Sequence, residues 1–236
     1  MKKLAISFVM LLFVSFGLMA QVDRSKFPAA GPAPEIKIKD AETFTLANGL
    51  KVFVVNNNKL PRVAFTLVLE RDPILEKDKA GMSSFVGEMM MGGTKNRTKD
   101  QLDQEIDFIG ASLGASSTSM FASSLKKHQG KILELMADVL YNPSFPEEEL
   151  DKLKKQALTG LAQSKDNPNA ISGRLSRAVL YGPNHPYGES QSEETINNIT
   201  VEDVKKYYQT YFKPNIAYLA IVGDMSKEEA EKVVNQ

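Results

Sequence analysis

The spacing of apolar residues predicts a chain that opens with strands and continues mainly with helices. Apolar and polar positions alternate on both sides of Asn48-Gly49, and a further apolar run follows from Val63 to Leu69. A period of two is typical of half-buried strands, and Asn-Gly between two such runs favours a tight hairpin. Folded structure is therefore expected to begin near Glu42 with a hairpin and a third strand.

Beyond Leu69 the apolar period changes to about 3.6 residues, which indicates amphipathic helices. The first helix is expected to end at Gly92-Gly93, and Thr98 with Gln101 forms a capping-box pattern for the second. The segment 111–124 interrupts the helices with Ser, Ala and Gly, and it predicts two short strands around a turn near Ser116-Ser117.

The second half of the chain continues the helical pattern. Helices are expected from His128 to Tyr141, after Pro146, after Asn167-Pro168, after Thr200 and finally after Ser226. In the helix after Asn167-Pro168, the residues expected to face inward are Ile171, Leu175, Ala178 and Val179.

One late strand completes the predicted fold. The run from Ile216 to Val222 lacks alternation, which favours a strand covered on both faces. Strands and helices do not alternate strictly along the chain. We therefore predict an α+β fold, a layered sandwich of a mostly antiparallel or mixed sheet packed by helices, in one domain over 42–236.

The amino terminus has the pattern of a cleavable signal peptide. Lys2 and Lys3 precede an apolar stretch over 4–18, and Ala20 is a small residue suited to cleavage. The apolar stretch is shorter than the roughly 20 residues that span a bilayer. We expect a signal peptide over 1–20, an extended Pro-rich lead-in linker over 21–41, and an exported protein, periplasmic or secreted, without membrane attachment after cleavage.

Composition narrows the chemistry further. The chain has 29 basic and 29 acidic side chains, which argues against a nucleic-acid partner bound by phosphate neutralisation. It has no cysteine, so thiol chemistry is excluded, and its two histidines, His128 and His185, are far apart in sequence. The acidic run Glu147–Glu149 opens a predicted helix, where carboxylates complement the helix dipole more often than they bind metal.

Several motifs, in order and spacing, resemble the N-terminal domain of the pitrilysin/insulinase family of zinc metallopeptidases, the inverzincins. The resemblance covers roughly residues 42–236. The matching segments are Phe44–Val52, Gly81–Thr94, Gly110–Ala115, His185–Gly188, Tyr207–Phe212 and Ile221–Asp224.

The family's chemistry depends on a His-x-x-Glu-His motif, in which two imidazoles bind zinc and the glutamate activates a water molecule. The matching window here carries Ser84, Gly87 and Glu88 at these three positions, and the family's further glutamate ligand falls near Thr159-Gly160. The resemblance therefore implies the fold and argues against the peptidase activity. No catalytic residue, metal ligand or cofactor is assigned.

The resemblance also implies a peptide-binding role. Family substrates bind as an added strand, and the matching edge here consists of Leu113, Gly114, Ala115, Ser116 and Ser117, although a simple core or edge strand explains each residue equally well. His185 is expected to shape the turn before Pro186.

Three functions stay open at this stage. The first is a non-catalytic homologue that binds a peptide or unfolded polypeptide as a regulatory or substrate-holding subunit beside an active zinc peptidase or a second homologous domain. The alternative is a stand-alone peptide-binding or structural protein of the cell envelope, and a residual zinc peptidase is the third. The last helix is expected to be cut short, as in a fragment or half of a longer chain.

Overall fold

A mixed six-stranded sheet organises the part of the chain that the computed structural model describes, residues 31–32 and 40–235. Its strands are β1 (Glu42–Thr45), β2 (Lys51–Asn56), β3 (Arg62–Leu69), β4 (Ser112–Ala115), β5 (Ser119–Leu125) and β6 (Ala217–Gly223). The order across the sheet is β1-β2-β6-β3-β5-β4, and only β2 and β6 pair in parallel. The late strand β6 therefore lies in the middle of the sheet.

Eight α-helices occur in the described part of the chain. They are α1 (Ser83–Met91), α2 (Lys99–Phe108), α3 (Gln129–Tyr141), α4 (Glu147–Ser164), α5 (Pro168–Tyr181), α6 (Glu193–Asn198), α7 (Val201–Tyr211) and α8 (Lys227–Val234). Among the described residues, none of these helices combines the length and apolarity needed to cross a membrane. The predicted signal peptide and most of the expected linker lie outside the described residues.

The predicted hairpin and helix caps are present. Gly49 has a φ of 91° in the turn between β1 and β2, a backbone angle that glycine adopts without strain. Thr98 accepts a hydrogen bond from the Gln101 N–H, and the Gln101 side chain accepts one from the Thr98 N–H in return. The α+β architecture is thus confirmed, and local sequence signals mark where its elements begin or end.

The hydrophobic core lies on one face of the sheet. Successive side chains of β3 alternate between the faces, so that Val63, Phe65, Leu67 and Leu69 are buried while the residues between them are half-buried. The helices contribute the rest of the core, with fully buried side chains that include Met89, Met90, Leu102, Ile132, Leu135 and Val204.

Two packing predictions are wrong. The strand β6 is fully covered on one face only. Leu219 and Ile221 are buried, whereas on the opposite face Tyr218 and Ala220 are half-buried and Val222 is 45% exposed. Helix α5 has no buried residue, and Leu175 and Val179 are 60% and 82% exposed instead of facing inward. Periodicity shows that a helix has an apolar face, but it does not show what that face contacts.

The sequence does not predict helix α6. A capping box joins Ser192 and Thr195 at its start, and Ile196 is fully buried in the core. The helix has only six residues, which is too short for a periodic pattern to appear.

Candidate functional site

Helix α1 carries the positions that match the family's zinc motif, and its start is held by carboxylates. The Glu76 carboxylate accepts hydrogen bonds from the backbone N–H groups of Gly81 and Ser83, each at 2.7 Å. These groups lack partners within the helix, and a negative charge there complements the helix dipole. The Glu189 carboxylate accepts from the backbone N–H groups of Glu76, at 2.9 Å, and Lys77, at 2.5 Å. The loop before α1 is thereby tied to the segment that follows α5.

The three motif positions on α1 have different environments. Ser84 is exposed, and its hydroxyl donates to the carbonyl oxygen of Gly81 at 2.5 Å. Glu88 is also exposed, whereas Gly87 between them is buried. The position of the family's catalytic glutamate therefore faces protein and not an open active site.

Gly87 packs directly against the edge strand of the sheet. A Cβ atom added to Gly87 would lie 2.5 Å from the carbonyl carbon of Ala115, 2.6 Å from Cα of Ser116, and closer still to the Ala115 carbonyl oxygen. Cβ atoms essentially never approach heavy atoms within 3.0 Å, and the obstructing atoms here are backbone. A glutamate side chain does not fit at this position unless β4 moves away from α1.

Zinc does not fit the residues present. Gly160 on α4 is exposed and offers no side chain, and the hydroxyl of its neighbour Thr159 donates to the Lys155 carbonyl. Glu88 is then the only potential ligand at the motif positions, while catalytic zinc takes three protein ligands and structural zinc takes four. Within residues 40–235, no group of three or more His, Asp or Glu side chains is placed to hold a metal ion.

His185 and Glu149, which the sequence offers as possible metal ligands, have other contacts in the structure. His185 stacks on Tyr181 and lies at a tilt against Tyr187, and its Nδ1 accepts a hydrogen bond from the Tyr187 N–H at 3.2 Å. In the acidic run at the start of α4, Glu149 forms an ion pair with Lys99 at 2.7 Å. This pairing lowers the pKa of the Glu149 carboxyl.

The expected peptide-binding edge is divided between a strand and a turn. Leu113, Gly114 and Ala115 lie in β4, which is the last strand of the sheet and pairs only with β5 among the described strands. Ser116 and Ser117 do not continue the strand. The Ser116 backbone N–H donates to the Ser119 carbonyl at 2.7 Å, and this hydrogen bond closes the turn. The turn that the sequence predicts at Ser116-Ser117 is therefore present, and the strand that could pair with a peptide is shorter than the five-residue edge that the resemblance implies.

The turn after β4 is connected to an arginine that the sequence does not single out. The Tyr207 hydroxyl donates to the Ser117 carbonyl at 3.1 Å and accepts a hydrogen bond from Nη2 of Arg71. Burial raises the pKa of the Tyr207 hydroxyl, so it remains a neutral donor. Arg71 follows β3 in a charged segment, Glu70-Arg71-Asp72, that looks like ordinary surface sequence. Only the long-range contact with α7 reveals its position.

Arg71 opens onto a cleft of about 680 Å³ beside the N-terminus of α1. Helix α5 forms part of the cleft wall with Arg174 and Arg177, and Thr118 contributes from the turn between β4 and β5. The cleft and the edge strand β4 thus meet at the same turn.

The fold defines a peptidase-like domain. The residues on α1 and α4 that match the zinc-binding positions of such peptidases do not form a metal site here. The chain belongs to the insulinase family, peptidase family M16. The family model matches residues 52–185, and the model of the M16 inactive domain matches residues 198–236. The resemblance inferred from the motifs is therefore confirmed.

Relatives with curated names include zinc proteases and a subunit of a larger complex. An uncharacterized zinc protease of Rickettsia felis is 28% identical over 191 residues, which cover 78% of this chain and 46% of the relative. Cytochrome b-c1 complex subunit 1 of Caenorhabditis elegans is 25% identical over 189 residues, 78% of this chain and 40% of the relative. The chain therefore spans less than half the length of either relative.

Solved structures agree in fold. The peptidase M16 inactive domain from Pseudomonas fluorescens matches with a TM-score of 0.74 and 26% identity, over 83% of this chain and 49% of that one. The periplasmic protease PqqL from Escherichia coli matches with a TM-score of 0.70 over 86% of this chain and 24% of that one. Its sequence identity of 18% supports a likeness of fold alone.

Proposed function

We propose that this chain is a non-catalytic member of the M16 family that holds a polypeptide along β4 and pairs with a second M16 domain or subunit. The contact between Gly87 and the backbone of Ala115 carries the first part of this proposal. The strand that binds substrate in the family here fills the space in which the catalytic glutamate would lie. What the edge of β4 can still offer is backbone N–H and C=O groups, which bind extended peptides without catalytic residues.

Pairing is supported by an apolar surface on α5. Leu175, Val179 and Leu180 are 60%, 82% and 74% exposed, and neighbouring exposed apolar side chains mark interaction surfaces on monomers. One relative is by name a subunit of a complex, and the relatives are about twice as long as this chain. A second domain of the same family, in the same or another chain, accounts for these observations.

The absence of catalysis is tested by restoring the motif. The triple variant Ser84→His/Gly87→Glu/Glu88→His should not acquire stoichiometric zinc, because the third ligand position near Thr159-Gly160 still has no carboxylate. It should not cleave peptides either, because the backbone of β4 obstructs the glutamate. The double variant Ser84→His/Glu88→His changes only exposed positions and serves as a folded control. Stoichiometric zinc in the purified wild-type protein, measured by metal analysis, would refute the proposal.

Peptide binding and pairing are tested separately. Titration with fluorescent unfolded peptides should give saturable binding, and a flat titration would contradict the role of β4. Coexpression with an M16 peptidase that keeps an intact His-x-x-Glu-His motif should give a co-purifying complex with altered peptide turnover. Peptide binding by a chain that never pairs would instead support the stand-alone envelope protein.

We also propose export, from the sequence at the amino terminus. The basic pair Lys2-Lys3, the apolar stretch over 4–18 and Ala20 follow the order of a secretory signal. Amino-terminal sequencing of protein from a periplasmic or secreted fraction should begin at Gln21. Recovery only in the cytoplasm with the first residues retained would contradict export.

A further inference from the structure

The cleft beside α1 is lined by three arginines, and its acidic residues are already engaged. Glu76 and Glu189 also line the cleft, but both carboxylates accept hydrogen bonds from backbone N–H groups. Arg71, Arg174 and Arg177 form no ion pair with a carboxylate in the described part of the chain. The cleft thus contains guanidinium groups with unused capacity for an anion.

Arg71 is held in place by neutral groups only. Its Nη1 donates to the Asp72 carbonyl at 2.8 Å, and its guanidinium lies over the rings of Tyr207 and Tyr211, 5.2 and 5.1 Å from their centroids. Its Nε is buried and has no hydrogen-bond partner among the described groups. The two hydrogen bonds and the buried Nε account for three of the five N–H groups of the guanidinium. The other two, on Nη1 and Nη2, can donate to an anion, and a carboxylate is the group that a guanidinium fits best.

The two arginines of α5, Arg174 and Arg177, add to the preference of the cleft for an anion. Arg174 is half-buried, and its Nη1 donates to the Ser164 hydroxyl at 2.9 Å, while Arg177 is one turn further along the same helix. Like charges at this spacing repel each other. An anion in the cleft would relieve that repulsion.

We propose that this cleft binds a carboxylate of the polypeptide held along β4, with Arg71 as its main contact. The inference rests on the proposed peptide-binding function and adds a preference for acidic ligands. The Tyr207 hydroxyl links the two parts of the site, because it is hydrogen-bonded both to Arg71 and to the Ser117 carbonyl in the turn after β4. A polypeptide that follows β4 to its end therefore reaches the cleft. The carboxylate is either an acidic side chain or the peptide's own carboxyl terminus.

Three labelled peptides of equal length distinguish these sources in an anisotropy titration. The first has a glutamate and an amidated carboxyl end, the second has glutamine and a free carboxyl end, and the third has glutamine and an amidated end. One of the first two should bind the wild-type protein about tenfold more tightly than the third. The peptide that shows the gain identifies the carboxylate.

Substitutions then test whether the gain in peptide affinity comes from the cleft. Arg71→Gln should abolish it, Arg71→Lys should retain part of it, and Arg62→Gln, at the other end of β3, should leave it unchanged. If Arg71→Gln does not fold, Arg177→Glu is the second variant, since Arg177 is exposed and its charge reversal should weaken binding of the carboxylate peptide alone.

The outcomes separate this inference from the function on which it rests. Equal affinity for all three peptides, or a gain that survives both Arg71→Gln and Arg177→Glu, overturns the carboxylate site and leaves peptide binding intact. Failure of all three peptides to bind contradicts the proposed function itself.

Discussion

Asp138 on α3 carries a buried negative charge that four side chains satisfy. Thr94, Asn96, Arg97 and Asn142 donate hydrogen bonds to its carboxylate at 2.7, 2.6, 2.7 and 3.0 Å. Burial by itself would raise the pKa of Asp138, but these hydrogen bonds outweigh it and lower the pKa from 3.8 to about 2. The cluster ties α3 to the loop between α1 and α2, so this charge contributes to the frame that supports the site.

Lowering the pH should remove the stabilisation that the charged Asp138 carboxylate gives to the fold. The folded pKa of Asp138 lies below its usual value, so the stabilisation is present above pH 3.8 and is lost as the pH falls towards 2. The expected loss is about 2 kcal/mol in the free energy of unfolding. Asp138→Asn should be less stable than wild type by about 3 kcal/mol at neutral pH, with a smaller difference at pH 2.

Denaturant unfolding at a series of pH values measures both quantities. Asp107→Asn is the control, because Asp107 is exposed and forms no ion pair within the described residues. A wild-type-to-variant difference that stays constant between pH 5 and pH 2 would show that the four hydrogen bonds do not favour the charged form.

The contact of Gly87 with β4 predicts opposite effects for one substitution at two glycines. Gly87→Ala places a methyl group against the backbone of Ala115 and should destabilise the fold by about 3 kcal/mol. Gly160→Ala meets no atom within 4 Å and should stabilise α4 by about 0.5–1 kcal/mol. Thermal or denaturant unfolding compares them. Equal effects would mean that β4 yields readily, and that the catalytic position is less obstructed than the structure shows.

At the scale of elements, the sequence predicts best what is encoded locally. The Thr98 and Thr200 caps, the Asn48-Gly49 turn and the period of each long helix act within a few residues, and all are present in the structure. The exposed face of α5 could not be predicted, because an apolar helix face looks the same whether it packs internally or against another molecule.

The candidate site likewise has features that the sequence predicts and features that it does not. The loss of the two zinc-binding imidazoles, at Ser84 and Glu88, and of the catalytic glutamate, at Gly87, can be read from the motif, since it concerns only which residue stands at a position. The close approach of β4 to Gly87 and the contact between Arg71 and Tyr207 could not be predicted from the sequence, because each depends on residues that are distant along the chain.

The cap of α2 gives a prediction at this scale. Thr98→Ala removes the acceptor for the Gln101 N–H and should lower the free energy of unfolding by about 1 kcal/mol. Thr210→Ala is the matched control, because the Thr210 hydroxyl donates to the Lys206 carbonyl inside α7, a bond that adds little stability. Denaturant unfolding measures both. A loss at Thr98 no larger than that at Thr210 would show that other contacts already fix the start of α2.

At the scale of the whole molecule, the proposed pairing with a second M16 domain or subunit depends on the exposed apolar face of α5. Since α5 has no buried residue, charges placed on its apolar face should leave the fold intact. Leu175→Glu/Val179→Glu should therefore unfold at the wild-type temperature but bind an active M16 partner at least tenfold more weakly, because a buried unpaired carboxylate is costly at an interface.

Co-purification and sedimentation of the mixed proteins measure this effect. Phe108→Glu is the control, since Phe108 is 90% exposed at the end of α2 and the proposal gives it no role in pairing. Loss of pairing in both variants would indicate a general effect of added charge. Pairing unaffected by the α5 variant would place the partner elsewhere, and the apolar face of α5 would then need a different occupant.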